Sequence, residues 1–284
     1  MSIPDDSRPS SLLLRILSTI VFIPILLLAN AQGGLAYIAF MLVIVGVSLY
    51  EFYGMAEVKG LAVPKLWGIL SGLFLCLALS GGLHTWLAFP ERWLGASAVC
   101  LILGLLLLLG RGKPSAFLAS VCALLAGAIY VALPLGCFLL LREMGEEAWK
   151  SKSYALLPYA LTWLCDTFAY GVGRTLGRHK LASAISPNKT VEGAIGGILG
   201  SMAAGLLSKL SFAPYLGWLD AIALGILVGI FGQAGDLLES AMKRDAGIKD
   251  TSRIIPGHGG ALDRFDSFLF TVPLIYLYLR FFVA

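Results

Sequence analysis

The chain has 284 residues, 58% of them hydrophobic and only 13% charged, with a formal net charge of +4. A soluble domain spends about a quarter of its residues on charge, so the composition excludes an ordinary soluble globule, and disorder with it. The small excess of base, with no basic run, excludes a nucleic-acid arm.

Apolar runs punctuated by Gly, Pro and charge predict an all-α polytopic membrane protein of about nine transmembrane helices. They fall near 12–30, 35–57, 66–81, 93–110, 116–141, 154–173, 191–211, 217–242 and 265–283. In the first, Arg8 and Arg15 precede an apolar stretch followed by Ala29-Asn30-Ala31, a pattern signal peptidase could accept. The stretch is long enough to cross and another follows almost at once, so an uncleaved first span is expected. With a cytoplasmic N-terminus, 15 of the 21 Lys and Arg fall inside, leaving Arg92, Arg142, Lys150, Lys152, Lys209 and Arg280 outside. That bias fits the positive-inside rule.

Residues 1–150, about five spans, read as a Leu-rich, lipid-facing scaffold carrying little beyond end-of-helix charge. The five cysteines, Cys76, Cys100, Cys122, Cys137 and Cys165, form no CxxC pair and read as small hydrophobes. No repeat of fixed period is visible, which removes the inverted-repeat signature of many transporters. Residues 151–284, about four spans with cytoplasmic loops 174–190 and 243–264, read as the catalytic region.

The sixth span carries Asp166 in mid-course, near Thr162, Ala169 and Gly173. After it come Arg174, Arg178, His179 and Lys180, then Ser186-Pro187-Asn188-Lys189-Thr190 and Glu192. Ser186 with Pro187 behind it predicts a helix N-cap and N1 pair, whose unpaired N–H groups would favour an anion beside Lys189. On the seventh span Gly193 with Gly197 and Gly196 with Gly200 make two small-residue faces for close packing, against another span or another chain. Asp236, Glu239, Ser240 and Lys243 share one face of the eighth span, continuing a stripe of Gly225, Gly229 and Gly232.

Beyond that span the charges crowd: residues 236–266 hold 11 of the chain's 38. A re-entry through Pro256-Gly257-His258-Gly259-Gly260 would bring Asp263 beside Asp236. Two carboxylates next to Lys and Arg suit Mg²⁺ carrying a polyphosphate, because hard oxygen ligands and substrate phosphates share its shell. An ordinary solvated loop accounts equally well for Lys249, Asp250 and Arg253, and for His258 the two readings are even. It does not account for Asp236 and Glu239, set inside the apolar frame of a helix where a carboxylate is costly.

The stretch from Ser240 to Asp266 resembles the signature of the phosphatidate cytidylyltransferases, also called CDP-diacylglycerol synthases. Ser240, Lys243, Arg244, Lys249, Asp250, Pro256, His258, Gly259, Gly260, Asp263, Arg264 and Asp266 fill its fixed positions. The Asp166 region and 186–193 are similar to that family as well. The resemblance implies a membrane enzyme joining CTP and phosphatidic acid into CDP-diacylglycerol and pyrophosphate, with Mg²⁺, as a homodimer in a bacterial-type cytoplasmic (inner) membrane, its site at the cytoplasmic face. It assigns the metal to Asp236 and Asp263; Glu239 is a further ligand candidate, and with Asp166 and Asp266 nearby there is room for a second cation. Lys243, Arg244, His258, Arg264 and Asp266 then serve catalysis, His258 as a donor to phosphate. Asp166, Ser186, Lys189, Thr190, Glu192, Ser240 and Lys249 contact substrate. The rivals are a polyprenol kinase, a CDP-archaeol synthase type of enzyme, and a cation- or proton-coupled transporter using Asp166, Asp236 and Glu239.

Overall fold

A computed structural model describes residues 11–80, 89–111, 114–145, 147–252, 254 and 259–283, with side chains from residue 20 onward except Arg111. Arg253, Pro256, Gly257 and His258 lie outside the described residues. The helices are α1 (Ser11–Gln32), α2 (Gly34–Val58), α3 (Lys65–Leu79), α4 (Pro90–Arg111), α5 (Phe117–Ala126), α6 (Leu133–Glu143) and α7 (Ala148–Leu176). A two-stranded antiparallel hairpin follows, β1 (Lys180–Ala182) and β2 (Ser186–Thr190), and then α8 (Val191–Ser211), α9 (Trp218–Asp245), the short α10 (Leu262–Phe265) and α11 (Phe268–Tyr278).

Among the described residues six helical rods are long and apolar enough to cross a membrane: Gly34–Val58, Pro90–Gly110, Pro114–Glu143, Val191–Ser211, Trp218–Asp245 and Leu262–Val283. Ile20–Gln32 and Lys65–Leu79 are shorter apolar helices. The third rod joins α5 to α6 through a π-helical turn at Gly127–Ala132, and the last continues α11 into another at Leu279–Val283. The result is an all-α, multi-pass membrane fold with one small hairpin.

α8 lies between α7 and α9 and packs closely on both. Its small-residue faces meet the same chain: a Cβ on Gly200 would lie 2.6 Å from the Phe168 Cβ of α7, and one on Gly193 would lie 2.8 Å from the Ala169 carbonyl. The glycine stripe of α9 answers from the other side. A Cβ on Gly225 would sit 2.4 Å from the Met202 Cα, and one on Gly229 would sit 2.6 Å from the Ile198 Cα. With the backbones that close, the Ser201 Oγ donates across to the Gly225 carbonyl at 2.6 Å. In lipid, where apolar surface gains nothing by association, such van der Waals fit and interhelical hydrogen bonding hold helices together.

The buried core joins the rest. Phe138 of α6 stacks on Tyr159 of α7 with ring centroids 4.8 Å apart, Tyr159 meets Phe268 of α11 at 5.1 Å, and Phe265 of α10 meets Phe268 at 5.3 Å. The loops sort to two ends. At one end Lys59, after α2, pairs with Asp245 at the end of α9. At the other, the buried Arg142 of α6 donates to the Asn30 carbonyl of α1 at 3.2 Å, and the Asn30 amide donates to the Lys152 carbonyl of α7 at 3.1 Å.

Candidate active site

The hairpin and the start of α8 form the first wall. Ser186 is not the helix cap that Ser-Pro suggests, because Ser186–Thr190 pairs with Lys180–Ala182 as a strand. Ladder hydrogen bonds hold the segment extended, and the cap passes to Thr190, whose Oγ1 accepts from the Gly193 N–H at 3.1 Å. Glu192 hooks the hairpin onto the helix. It accepts from the backbone N–H groups of Arg178 and His179 at 3.0 and 3.2 Å, and pairs with the His179 Nδ1 at 2.6 Å.

Lys189, carried inward by β2, pairs with Asp236 of α9 at 2.6 Å. This pair lies on a cavity of about 500 Å³ between α7, the hairpin, α8 and α9, which Asp166, Arg174, Asn188 and Gln233 also line. The volume lies within the roughly 300–1,000 Å³ usual for a small-molecule site.

The second wall is the signature segment folded back on α9. Lys243 bridges two carboxylates, Glu239 at 3.0 Å and Asp263 at 2.6 Å, whose side chains are 0% and 6% exposed. The other Asp263 oxygen accepts from the Thr251 N–H and hydroxyl, both at 3.0 Å, and from the Gly260 N–H at 2.8 Å. Ser240 donates to Asp236 at 3.3 Å. Arg244 is exposed and donates to the Ile185 and Ile248 carbonyls at 3.3 and 3.0 Å, stitching the hairpin turn to the chain after α9. Lys249 and Arg264 are exposed.

The re-entrant course expected for the signature is present, but its contacts differ in one respect. Asp263 returns beside Lys243 and Glu239, while Asp236 turns toward Lys189. Residues three apart on a helix share a broad face yet diverge by about 60°, and here a lysine claims each side. Glu239 Oε1 is buried with no hydrogen-bond partner among the described residues, and Asp266 is a neighbour of the same side chain. Asp266 itself accepts from the Ser267 N–H at 2.6 Å. Among the described residues no three His, Cys, Asp or Glu converge as a ready-made metal cage.

Two residues that do not stand out in the sequence belong to this region. Gln233 donates to the Ala194 and Gly229 carbonyls at 3.0 and 2.6 Å and floors the cavity. Glu51, in the middle of the apolar α2, is 2% exposed and bonds to the signature segment about 200 residues away. An acid seven residues short of the end of an apolar helix was the only sign of it.

These elements define a multi-pass membrane protein whose acids and bases gather at one end of the α7–α8–α9 bundle beside a cavity sized for a small molecule. The chain matches the model of the cytidylyltransferase family over residues 13–282 and belongs to that family. It is 36% identical over 263 residues to the phosphatidate cytidylyltransferases of Staphylococcus epidermidis and Staphylococcus saprophyticus, covering 93% of this chain and 95% of each relative. To that of Staphylococcus aureus it is 35% identical over 264 residues, with the same coverage.

Proposed function

We propose that this enzyme is a phosphatidate cytidylyltransferase, joining CTP and phosphatidic acid in the membrane to give CDP-diacylglycerol and pyrophosphate. The observation that carries the reading is the folded signature: Lys243 and Asp263 locked together beside the Lys189–Asp236 pair, in a chain alike over nearly its whole length to enzymes of that name.

A phosphatidate oxygen attacks the α-phosphorus of CTP, the new P–O bond forms in line, and the bond to the β-phosphate oxygen breaks to release pyrophosphate. Both reactants are anions, so the protein's work is charge compensation and alignment. Lys189, Arg174 and the N–H groups at the start of α8 face the cavity and suit the nucleotide phosphates. Asp166 and Thr190 line the same space and Ser240 holds Asp236 on its wall, while Ser186 and Glu192 hold the hairpin that carries Lys189. Exposed Arg244, Lys249 and Arg264 suit the lipid phosphate, and His258 would donate to phosphate.

Asp236 on the cavity side and Glu239 and Asp263 on the Lys243 side are the residues that would hold Mg²⁺, each ion bringing in only one or two of them, and Asp166 and Asp266 are the candidates for a second cation. Buried Glu239 Oε1, without a hydrogen-bond partner among the described residues and with Asp266 as a neighbour, is the kind of carboxylate that needs a cation or a proton beside it. Mg²⁺ usually takes one or two carboxylates and completes its shell with substrate phosphates and water, so it does not require three converging carboxylates. When bound, the ion neutralises phosphate charge and orients the α-phosphate.

We read the nine helical segments as nine spans with a cytoplasmic N-terminus and the site at the cytoplasmic face of the inner membrane. The pairing of Lys59 with Asp245 at one end, and of Arg142 and Lys152 with Asn30 at the other, supports this parity. Those bonds to Asn30 also favour a retained α1. Residues 1–150 form the scaffold and 151–284 the catalytic region, and the family resemblance favours a homodimer, testable by crosslinking.

The decisive assay incubates detergent-solubilised protein with labelled CTP, phosphatidic acid and Mg²⁺, with and without EDTA. CDP-diacylglycerol and pyrophosphate are expected, and EDTA abolishes both. Release of CDP would identify a lipid kinase instead, and no product under any metal condition would return the chain to the transporter class. Asp236→Asn and Asp263→Asn should each lose turnover while keeping the fold.

A further inference from the structure

We infer that Glu51, on α2 of the scaffold half, is a positioning residue for the reaction: it holds the signature segment in the one course that presents Asp263 to Lys243. The proposal rests on the reading that Asp263 serves the active site.

Glu51 is 2% exposed and lies inside an apolar helix. A carboxylate in such a place is costly and is retained where it does something specific. Each of its oxygens is doubly used. Oε1 accepts from the Ser252 hydroxyl at 2.5 Å and the Ala261 N–H at 3.0 Å. Oε2 accepts from the Leu262 N–H at 2.7 Å and lies 3.3 Å from the Thr251 hydroxyl, whose single proton it shares with Asp263. All four donors belong to the signature segment, two on each side of residues 253–258.

Asp263 reads the same segment from the opposite side. It accepts from Thr251 and Gly260, so the Thr251 hydroxyl lies between the two carboxylates. Gly260 passes directly over Glu51: a Cβ there would lie 2.5 Å from the Glu51 Oε2 and 2.1 Å from the Thr251 Oγ1. Side chains of 251–252 and backbone of 260–262 are therefore clamped at both ends by one carboxylate, and the next residue along the chain is Asp263. The Ala261 and Leu262 N–H groups can only donate, so an amide in place of either oxygen would set donor against donor. Hydroxyls can turn round; backbone N–H groups cannot.

The test is Glu51→Gln, of equal size, with Ser252→Ala, which removes one of the four bonds and touches none of the active-site groups. kcat and KM for CTP and for phosphatidic acid are measured per folded molecule in detergent, with amide exchange followed at 251–252 and 260–262. Glu51→Gln should lower kcat about tenfold or more, with both KM values within about threefold, and Ser252→Ala about two- to fivefold. Exchange should rise in those two stretches while α8 keeps its protection. A residue that only supports the fold would lower the unfolding temperature and leave kcat per folded molecule alone. Values within twofold of wild type in Ser252→Ala and in whatever Glu51→Gln protein folds overturn the proposal, as does unchanged local exchange. Wild-type protein without cytidylyltransferase activity would overturn the functional reading itself.

Discussion

Lys243 serves two carboxylates that have almost no solvent of their own, and that makes it a residue whose loss the fold would feel. Removing one partner from a buried ion pair leaves uncompensated charge and typically costs about 3–5 kcal/mol. Lys243→Met, which strands Glu239 and Asp263 together, should lower thermal stability in detergent by that order. Lys59 makes the useful contrast, because its pair with Asp245 is 40% and 66% exposed. Such surface pairs contribute about 0–1 kcal/mol, so Lys59→Met should leave the unfolding temperature nearly unchanged. Equal effects of the two substitutions would mean that the Lys243 cluster is hydrated. Asp236, Glu239 and Lys243 were legible in the sequence because charge inside an apolar frame stands out at helical spacing, and Asp263 because a glycine turn and the family signature precede it. Their partners were not. Choosing Lys189 for Asp236 and Lys243 for Asp263 depends on how a hairpin and a re-entrant segment fold, which no local pattern records.

At the scale of elements, α8 is gripped on both sides by glycine contacts, and these set how wide the cavity can be. Gly225→Ala would push a methyl group to 2.4 Å from the Met202 backbone. Overpacking of this kind costs about 1–3 kcal/mol, and here it should also move Gln233 and Asp236 on the same helix. A lower unfolding temperature together with a weaker KM for CTP is the expected pair of readings. Gly95→Ala, on α4 where nothing lies within 4 Å, should change neither. The helices themselves were largely readable, as apolar length is written in composition. Their ends were less so: α7 starts at Ala148 and not near 154, because Lys150 and Lys152 discourage a membrane reading but not a helix. The hairpin was hidden for a related reason. Ser-Pro is a good start for a helix in isolation, and only pairing with Lys180–Ala182 overrides it.

For the whole molecule, the odd count of crossings between residues 148 and 250, through α7, α8 and α9, can be read with introduced cysteines. In a Cys122→Ala background, Asp250→Cys should react with an impermeant maleimide only in inside-out vesicles and Ala148→Cys only in right-side-out ones. Labelling of both from one side would break the nine-span reading. Charge bias is what suggests this topology, since nine spans with a cytoplasmic N-terminus would put 15 of the 21 bases on one side. Glu51 shows what that bookkeeping misses, because a lone acid contributes little to a bias and its partners lie in the other half of the chain.

The bonds from Glu51 to residues 251–262 also bear on how this protein could be recombined. The Leu-rich half reads as an interchangeable anchor, yet it supplies the socket into which the signature segment is seated, at a spot where Gly260 leaves no room for a methyl group. A chimera that took residues 1–150 from one homologue and the remainder from another should therefore work only when both donors agree on that socket, however well each half inserts into the bilayer.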